Sequence, residues 1–150
     1  MSTFATDSNL KEYEANINEF GIQDFSAMHT KTYNDILRLL RIEWWPRVNS
    51  TYHANRHFNS AGLEMDATKL TASQFQRAAV FHTLGYYIFP QLTQHGPEED
   101  RYSILETYYK NKFREEFDLI LADGVEYDYD GSGSVDNSEK QTAHFNRLVR

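Results

Sequence analysis

The sequence contains no cysteine, and it has fewer basic than acidic residues. Without thiols the chain forms no disulfide bonds and holds no metal through thiolates. No apolar run approaches the roughly 18 residues that span a bilayer, so no membrane segment is predicted. Residues 1–7 lack the basic and apolar stretches of a signal peptide, so none is predicted. The formal net charge of −7 argues against a generally basic, nucleic-acid-binding surface.

Motifs of the common enzyme classes are also missing. The chain has no GxSxG, no Walker A and no GxGxxG pattern, and no set of side chains suggests acid–base or nucleophilic catalysis. His53 and His57 lie four residues apart, but they lack the acidic residue of the HExxH metal motif. We therefore predict that the protein is not an enzyme, and we assign no metal to these two histidines.

Apolar spacing predicts three main helices. The first, over residues 33–52, carries Ile36, Leu37, Leu40, Trp44 and Val48 at intervals of three and four, and Pro46 should kink or end it. The second follows a capping box, Thr71 to Gln74, and runs to Pro90 with apolar residues on nearly every side. The third begins near Pro97 and ends near Leu121.

The chain therefore reads as one all-α domain over residues 1–150, a small helical bundle. Residues 1–30 are polar and weakly patterned, which predicts an N-terminal arm or a marginal helix in which Leu10, Tyr13 and Ile17 could share one face. A helical core over 33–124 follows. A loop over 128–139 and a C-terminal tail over 141–150 complete the chain, and the tail carries apolar residues too few for a core of their own.

The most specific pattern is that twelve-residue loop, which begins at Asp128. Calcium loops of the EF-hand type place oxygen ligands at positions 1, 3, 5, 7, 9 and 12, with glycine at position 6. Gly133 occupies position 6 and permits the sharp turn. Every ligand position is filled by a suitable residue, in order Asp128, Asp130, Ser132, Ser134, Asp136 and Glu139. Four carboxylates in so short a loop would repel one another without a cation.

The flanks of the loop predict a structural ion. Residues 123–127 separate the third helix from Asp128, and no second loop is present to pair with the first. Methionine is scarce, with three residues, so the chain lacks the methionine-rich groove that calcium sensors expose. We expect one structural Ca²⁺ that sets the path of the chain from the third helix into the tail.

In order and spacing, several segments resemble the head-to-tail connector (adaptor) proteins of tailed bacteriophages. The resemblance covers residues 33–150. It is carried by Trp44-Trp45-Pro46, by residues 74–92 with Ala78-Ala79-Val80-Phe81 and Gly85-Tyr86-Tyr87-Ile88, by Tyr108-Tyr109-Lys110 through Phe117-Asp118-Leu119-Ile120, by Gly124-Val125-Glu126-Tyr127-Asp128 and by the closing Asn146-Arg147-Leu148-Val149-Arg150.

The resemblance implies a structural virion protein that is assembled in the host cytoplasm. Such a protein forms a homo-oligomeric ring under the portal protein and extends the DNA channel. The next neck or tail component docks on the ring, and double-stranded DNA passes through it without sequence-specific binding. The net negative charge and the high aromatic content, 15%, agree with these expectations. The alternative is a cytoplasmic calcium-binding protein of EF-hand-like character that regulates or buffers.

Overall fold

The computed structural model of the protein describes residues 2–45, 65–93, 101–128, 130–135 and 140–141. Helices dominate these residues, in agreement with the predicted all-α class. The α-helices are α1 (Asp7–Tyr13), α2 (Ser26–Glu43), α3 (Gln76–His82), α4 (Phe89–Leu92) and α5 (Arg101–Asp123). Short 3₁₀ helices cover Ile17–Phe20, Ala67–Lys69 and Ala72–Phe75, and a π-helix over Thr83–Ile88 joins α3 to α4.

The three predicted helices are present with shifted ends. The first starts at Ser26, seven residues before the predicted start at residue 33, because Asp24 accepts hydrogen bonds from the Ser26 amide and hydroxyl and caps it. Residues 46–64, which include Pro46, lie outside the described residues. The third helix extends to Asp123, where Gly124 follows with a φ of 107° and ends it.

The N-terminal segment differs from the predicted polar arm. Six of its apolar residues are buried: Phe4, Ala5, Leu10, Ile17, Phe25 and Met28. The Phe4 ring lies 4.7 Å from the ring of Tyr33 and 5.1 Å from that of Phe75. The sequence grouped only Leu10, Tyr13 and Ile17 on one face, and two of these are buried. Phe4, Ala5, Phe25 and Met28 belong to no periodic stripe, so the sequence pattern does not reveal their burial.

The second predicted helix corresponds to α3, the π-helix and α4, which follow one another without a break. From Ala78 to Gly85 every side chain is buried, as are Ile88 and Phe89, which matches a helix that is apolar on nearly every side. The third predicted helix, α5, buries Tyr109, Phe113, Phe117 and Ile120.

Two short strands accompany the helices. Strand β1 (Val125–Glu126) pairs antiparallel with β2 (Lys140–Gln141), with Val125 opposite Gln141 and Glu126 opposite Lys140. By contacts the chain divides into two compact units. One consists of Met1–Asp35 and Phe75–Phe117, and the other of Ile36–Gln74 and Asp118–Arg150. The prediction of a single domain stays a prediction.

Candidate metal centre

Two aspartates of the loop turn their carboxylates toward the same backbone amide. The Ser132 N–H is within hydrogen-bonding distance of Oδ1 of Asp128, at 3.1 Å, and of Oδ1 of Asp130, at 2.9 Å. The other Asp128 oxygen, Oδ2, accepts from the Gly133 N–H at 2.8 Å. Two carboxylates that share one donor lie close together, so a positive ion beside them would relieve their repulsion.

The next two oxygens of the pattern also come together. The Ser132 hydroxyl donates to the carbonyl oxygen of Ser134 at 3.0 Å. Gly131 and Gly133 have φ angles of 72° and 91°, which let the chain curl without a Cβ clash. Residues 130–134 are exposed. Hydrogen bonds thus bring Asp128 and Asp130 to one amide and pair the Ser132 hydroxyl with the Ser134 carbonyl. These residues occupy positions 1, 3, 5 and 7 of the calcium pattern.

The described residues therefore include four of the six predicted ligands. Asp136 and Glu139, at positions 9 and 12, lie outside the described residues. No group of three or more histidine, aspartate or glutamate side chains forms a metal-binding cluster within the described ranges. Only two of the four loop carboxylates fall inside those ranges, so the calcium site stays a prediction.

The elements around the loop differ from those of a helix–loop–helix hand. Strand β1 ends two residues before Asp128, and β2 starts directly after Glu139. The two strands pair antiparallel, so an antiparallel ladder connects the chain before Asp128 to the chain after Glu139. A calcium-sensing hand responds by changing the angle between its two helices. Paired strands on the two sides of a loop instead hold the segments before and after it together.

Strand β1 is also held on its other side. The Asp128 N–H donates to the Lys69 carbonyl at 3.0 Å, and the Thr71 N–H donates to the Glu126 carbonyl at 3.3 Å. Leu70 and Tyr127 form an antiparallel bridge. The residues that enter the loop are thus fixed by a segment more than fifty positions earlier in the chain.

Gln74 reinforces this attachment, which corrects the predicted capping box. Its side-chain amide donates to the Gly124 carbonyl at 2.9 Å, and its Oε1 accepts from the Glu126 N–H at 2.9 Å. Both ends of the Gln74 amide are therefore used by β1 and its preceding residue, and the reciprocal bond back to Thr71 is not made. The Gln74 N–H instead donates to the Thr71 carbonyl.

Tyr127, the residue before the loop, is buried at 4% exposure. Its hydroxyl accepts from the Asp66 N–H at 3.0 Å, and its ring lies 5.7 Å from that of Trp44 and 5.3 Å from that of Trp45. Burial raises the pKa of the Tyr127 phenol. The sequence marked Tyr127 only as a loop neighbour. Its anchoring role depends on contacts with residues far away in the chain.

Among the described residues, no helix has the length and apolar character to cross a bilayer. Comparisons with protein-family models, curated proteins and solved structures found no match.

Proposed function

We propose that this protein is a structural component of a tailed-phage virion, a head-to-tail connector whose 128–139 loop carries one structural Ca²⁺. The convergence of Asp128 and Asp130 on the Ser132 amide supports the calcium part most directly. The connector part rests on the resemblance of residues 33–150, and the all-α class agrees with it.

The β1–β2 ladder supports a structural role for the ion. Glu139, the twelfth ligand position, directly precedes Lys140 of β2. An ion bound by Asp128 and Glu139 would join the two ends of the loop next to the β1–β2 ladder. Two residue pairs make a weak ladder alone, because short hairpins are marginally stable in water. Calcium would therefore stabilise the ladder and the direction in which the tail leaves it.

The proposed partners follow from the same resemblance. Copies of the chain would form a ring on the portal protein and present a docking surface to the next neck or tail component. The tail would contribute to this assembly through Phe145, Leu148 and Val149, with Arg147 and Arg150 facing acidic groups.

A regulatory or buffering calcium protein is the alternative. In the regulatory form, calcium binding would reorient two helices and expose an apolar groove. Within the part of the chain that the structure describes, β1 and β2 flank the loop, where a regulatory hand would have its helix pair. The β1–β2 ladder therefore favours the structural role over the regulatory one.

The calcium site is tested by terbium luminescence. Tyr127 and Tyr129 lie beside and within the loop, so excitation of tyrosine should produce terbium emission that Ca²⁺ displaces. Glu139→Gln should weaken binding at least tenfold by removing the bidentate ligand. Glu126→Gln makes the same change outside the loop and should leave binding unchanged. Emission that is absent, or equal loss in both variants, would reject the site.

The connector role is tested by assembly on a purified portal ring. We expect the full chain to bind the ring as a defined oligomer, seen by light scattering. Deletion of residues 142–150 retains Gln141, the partner of Val125, and should leave a folded protein that no longer binds the portal. Chelation of calcium should weaken binding to a smaller extent.

The outcomes separate the two parts of the proposal. A chain that binds terbium but never the portal would contradict the connector role and leave the calcium site intact. Equal incorporation of the truncated and full chains would show that the tail is not an assembly element.

A further inference from the structure

A second polar site lies far from the loop in the sequence, around the imidazole of His82. His82 is the last residue of α3 and is 5% exposed. Its ring stacks on Tyr86 at 4.5 Å and meets the edge of Phe113 at 4.7 Å. Aromatic rings thus fix the plane of the imidazole, and only its two nitrogens remain for polar contacts.

A chain of hydroxyl groups determines which nitrogen carries the proton. The Thr83 hydroxyl donates to the Ala79 carbonyl at 2.8 Å, so its oxygen accepts from the Thr32 hydroxyl at 2.8 Å. The Thr32 proton is then already used. Thr32 therefore accepts from His82, and Nδ1 of His82 donates to it at 3.3 Å. In neutral His82 the proton lies on Nδ1, and Nε2 bears a lone pair.

This lone pair faces a carboxylate. Nε2 of His82 lies 3.7 Å from Oδ2 of Asp35, too far for a hydrogen bond. The Tyr87 hydroxyl donates to the same Oδ2 and orients it. Burial, opposed only in part by the Asp35 charge, lowers the pKa of His82 to about 4. At neutral pH two hydrogen-bond acceptors therefore face each other across a narrow gap.

We propose that Nε2 of His82 and the Asp35 carboxylate bind a divalent transition-metal ion of the zinc class. Zinc bonds to imidazole nitrogen and to carboxylate oxygen are each about 2.0–2.2 Å, so at a tetrahedral angle the two ligand atoms lie about 3.4 Å apart. The observed separation is 3.7 Å, and a small rotation of the Asp35 side chain would bring the two atoms to the tetrahedral distance. Nitrogen and oxygen ligands together favour zinc over calcium or magnesium.

The surroundings have the features of a metal-bound histidine. Such histidines donate their second ring N–H to an oxygen, which fixes their tautomer and orientation. Here the Thr32 hydroxyl oxygen accepts from Nδ1 of His82. The Asp35 side chain is 39% exposed, which gives an ion access from solvent. Water would complete the coordination, and the Tyr87 hydroxyl lies at the same carboxylate oxygen. The ion would tie α2, through Asp35, to α3.

The test is a titration of the full chain with Co²⁺, whose visible absorption reports nitrogen and oxygen ligands, followed by displacement with Zn²⁺. Excess Ca²⁺ keeps the 128–139 loop saturated. His53→Gln/His57→Gln is the background, so that this histidine pair cannot bind the metal. We expect one equivalent to bind, with an increase in melting temperature when Zn²⁺ is added.

Three variants decide the outcome. Asp35→Asn, at a partly exposed position that should still fold, and His82→Gln should each weaken binding more than tenfold. Thr32→Val should weaken it about tenfold by releasing the tautomer. Binding that is unchanged in folded Asp35→Asn, or absent from the background protein, would overturn the proposal. Binding by the unsubstituted chain that is lost in this background would instead assign the metal to His53 and His57. The calcium site consists of other residues, so these results do not affect it.

Discussion

At the scale of single residues, the protein buries a histidine in its neutral form. The ordinary pKa of histidine is 6.5, and burial lowers that of His82 to about 4. As the pH falls through this range the unfolded chain takes up a proton before the folded one does. The contribution of neutral His82 to stability is thus complete above pH 6.5 and is lost as the pH falls toward 4.

This linkage predicts acid sensitivity of about 3 kcal/mol from His82, since each pKa unit corresponds to about 1.4 kcal/mol. His82→Gln should flatten the decline in unfolding free energy between pH 6.5 and 4, as measured by denaturant titration in chelating buffer. His29→Gln is the control, because it removes a second histidine that is buried to the same extent. A decline that is equally steep in His82→Gln would contradict the assignment.

At the scale of elements, the π-helix brings the backbone of Gly85 against α5. A Cβ at Gly85 would lie 2.8 Å from the backbone nitrogen of Lys110 and 3.1 Å from the carbonyl carbon of Tyr109. Glycine therefore allows a close approach between the π-helix and α5. This approach places Tyr86 beside Phe113, with ring centres 6.1 Å apart, and the Lys110 ammonium 5.2 Å from the Tyr86 ring.

Gly85→Ala should consequently destabilise the protein by about 1–3 kcal/mol, as overpacking in a tight contact does. Thermal melting monitored by circular dichroism measures the change. The double variant Gly85→Ala/Lys110→Ala removes the Lys110 side chain, whose Cγ lies 3.2 Å from the added Cβ. We expect no rescue, because the two closest atoms belong to the backbone. Full rescue would identify the side chain as the obstacle.

At the scale of the whole molecule, each compact unit is built from two separate stretches of chain. Residues 36–74 and 118–150 form the unit that contains the loop, so the segment around Leu70 holds the strand that leads into Asp128. In the other unit, residues 1–35 pack with 75–117. Each unit therefore depends on packing between two distant stretches of the chain. A charge placed in a buried helix would disrupt this packing.

Leu84→Asp should abolish cooperative melting, because Leu84 is fully buried and an unpaired buried carboxylate costs several kcal/mol of a total of about 5–15. Leu119→Asp makes the same change at a position that is 63% exposed, and its stability should change by about 0.5 kcal/mol or less. Calorimetry of both variants provides the comparison. A normal melt of Leu84→Asp would contradict the burial of this helix.

The sequence by itself determined the features that depend on local spacing. Apolar residues at intervals of three and four identified the long helices. The ligand positions of residues 128–139 are contiguous, so their pattern is complete without a fold. The start of α2 lies seven residues before the predicted one and the end of α5 two residues after it, since capping by Asp24 and Gly124 sets them.

Only the tertiary structure decided the rest, because it depends on pairs of residues far apart in the chain. Gln74 reaches Gly124 and Glu126 rather than Thr71, and the loop is closed by strands rather than helices. His82 and Asp35, 47 positions apart, face each other across 3.7 Å. Burial also reaches the N-terminal residues Phe4 and Ala5, which belong to no periodic stripe. Local sequence records which conformations a segment favours, while long-range contacts determine which side chains meet.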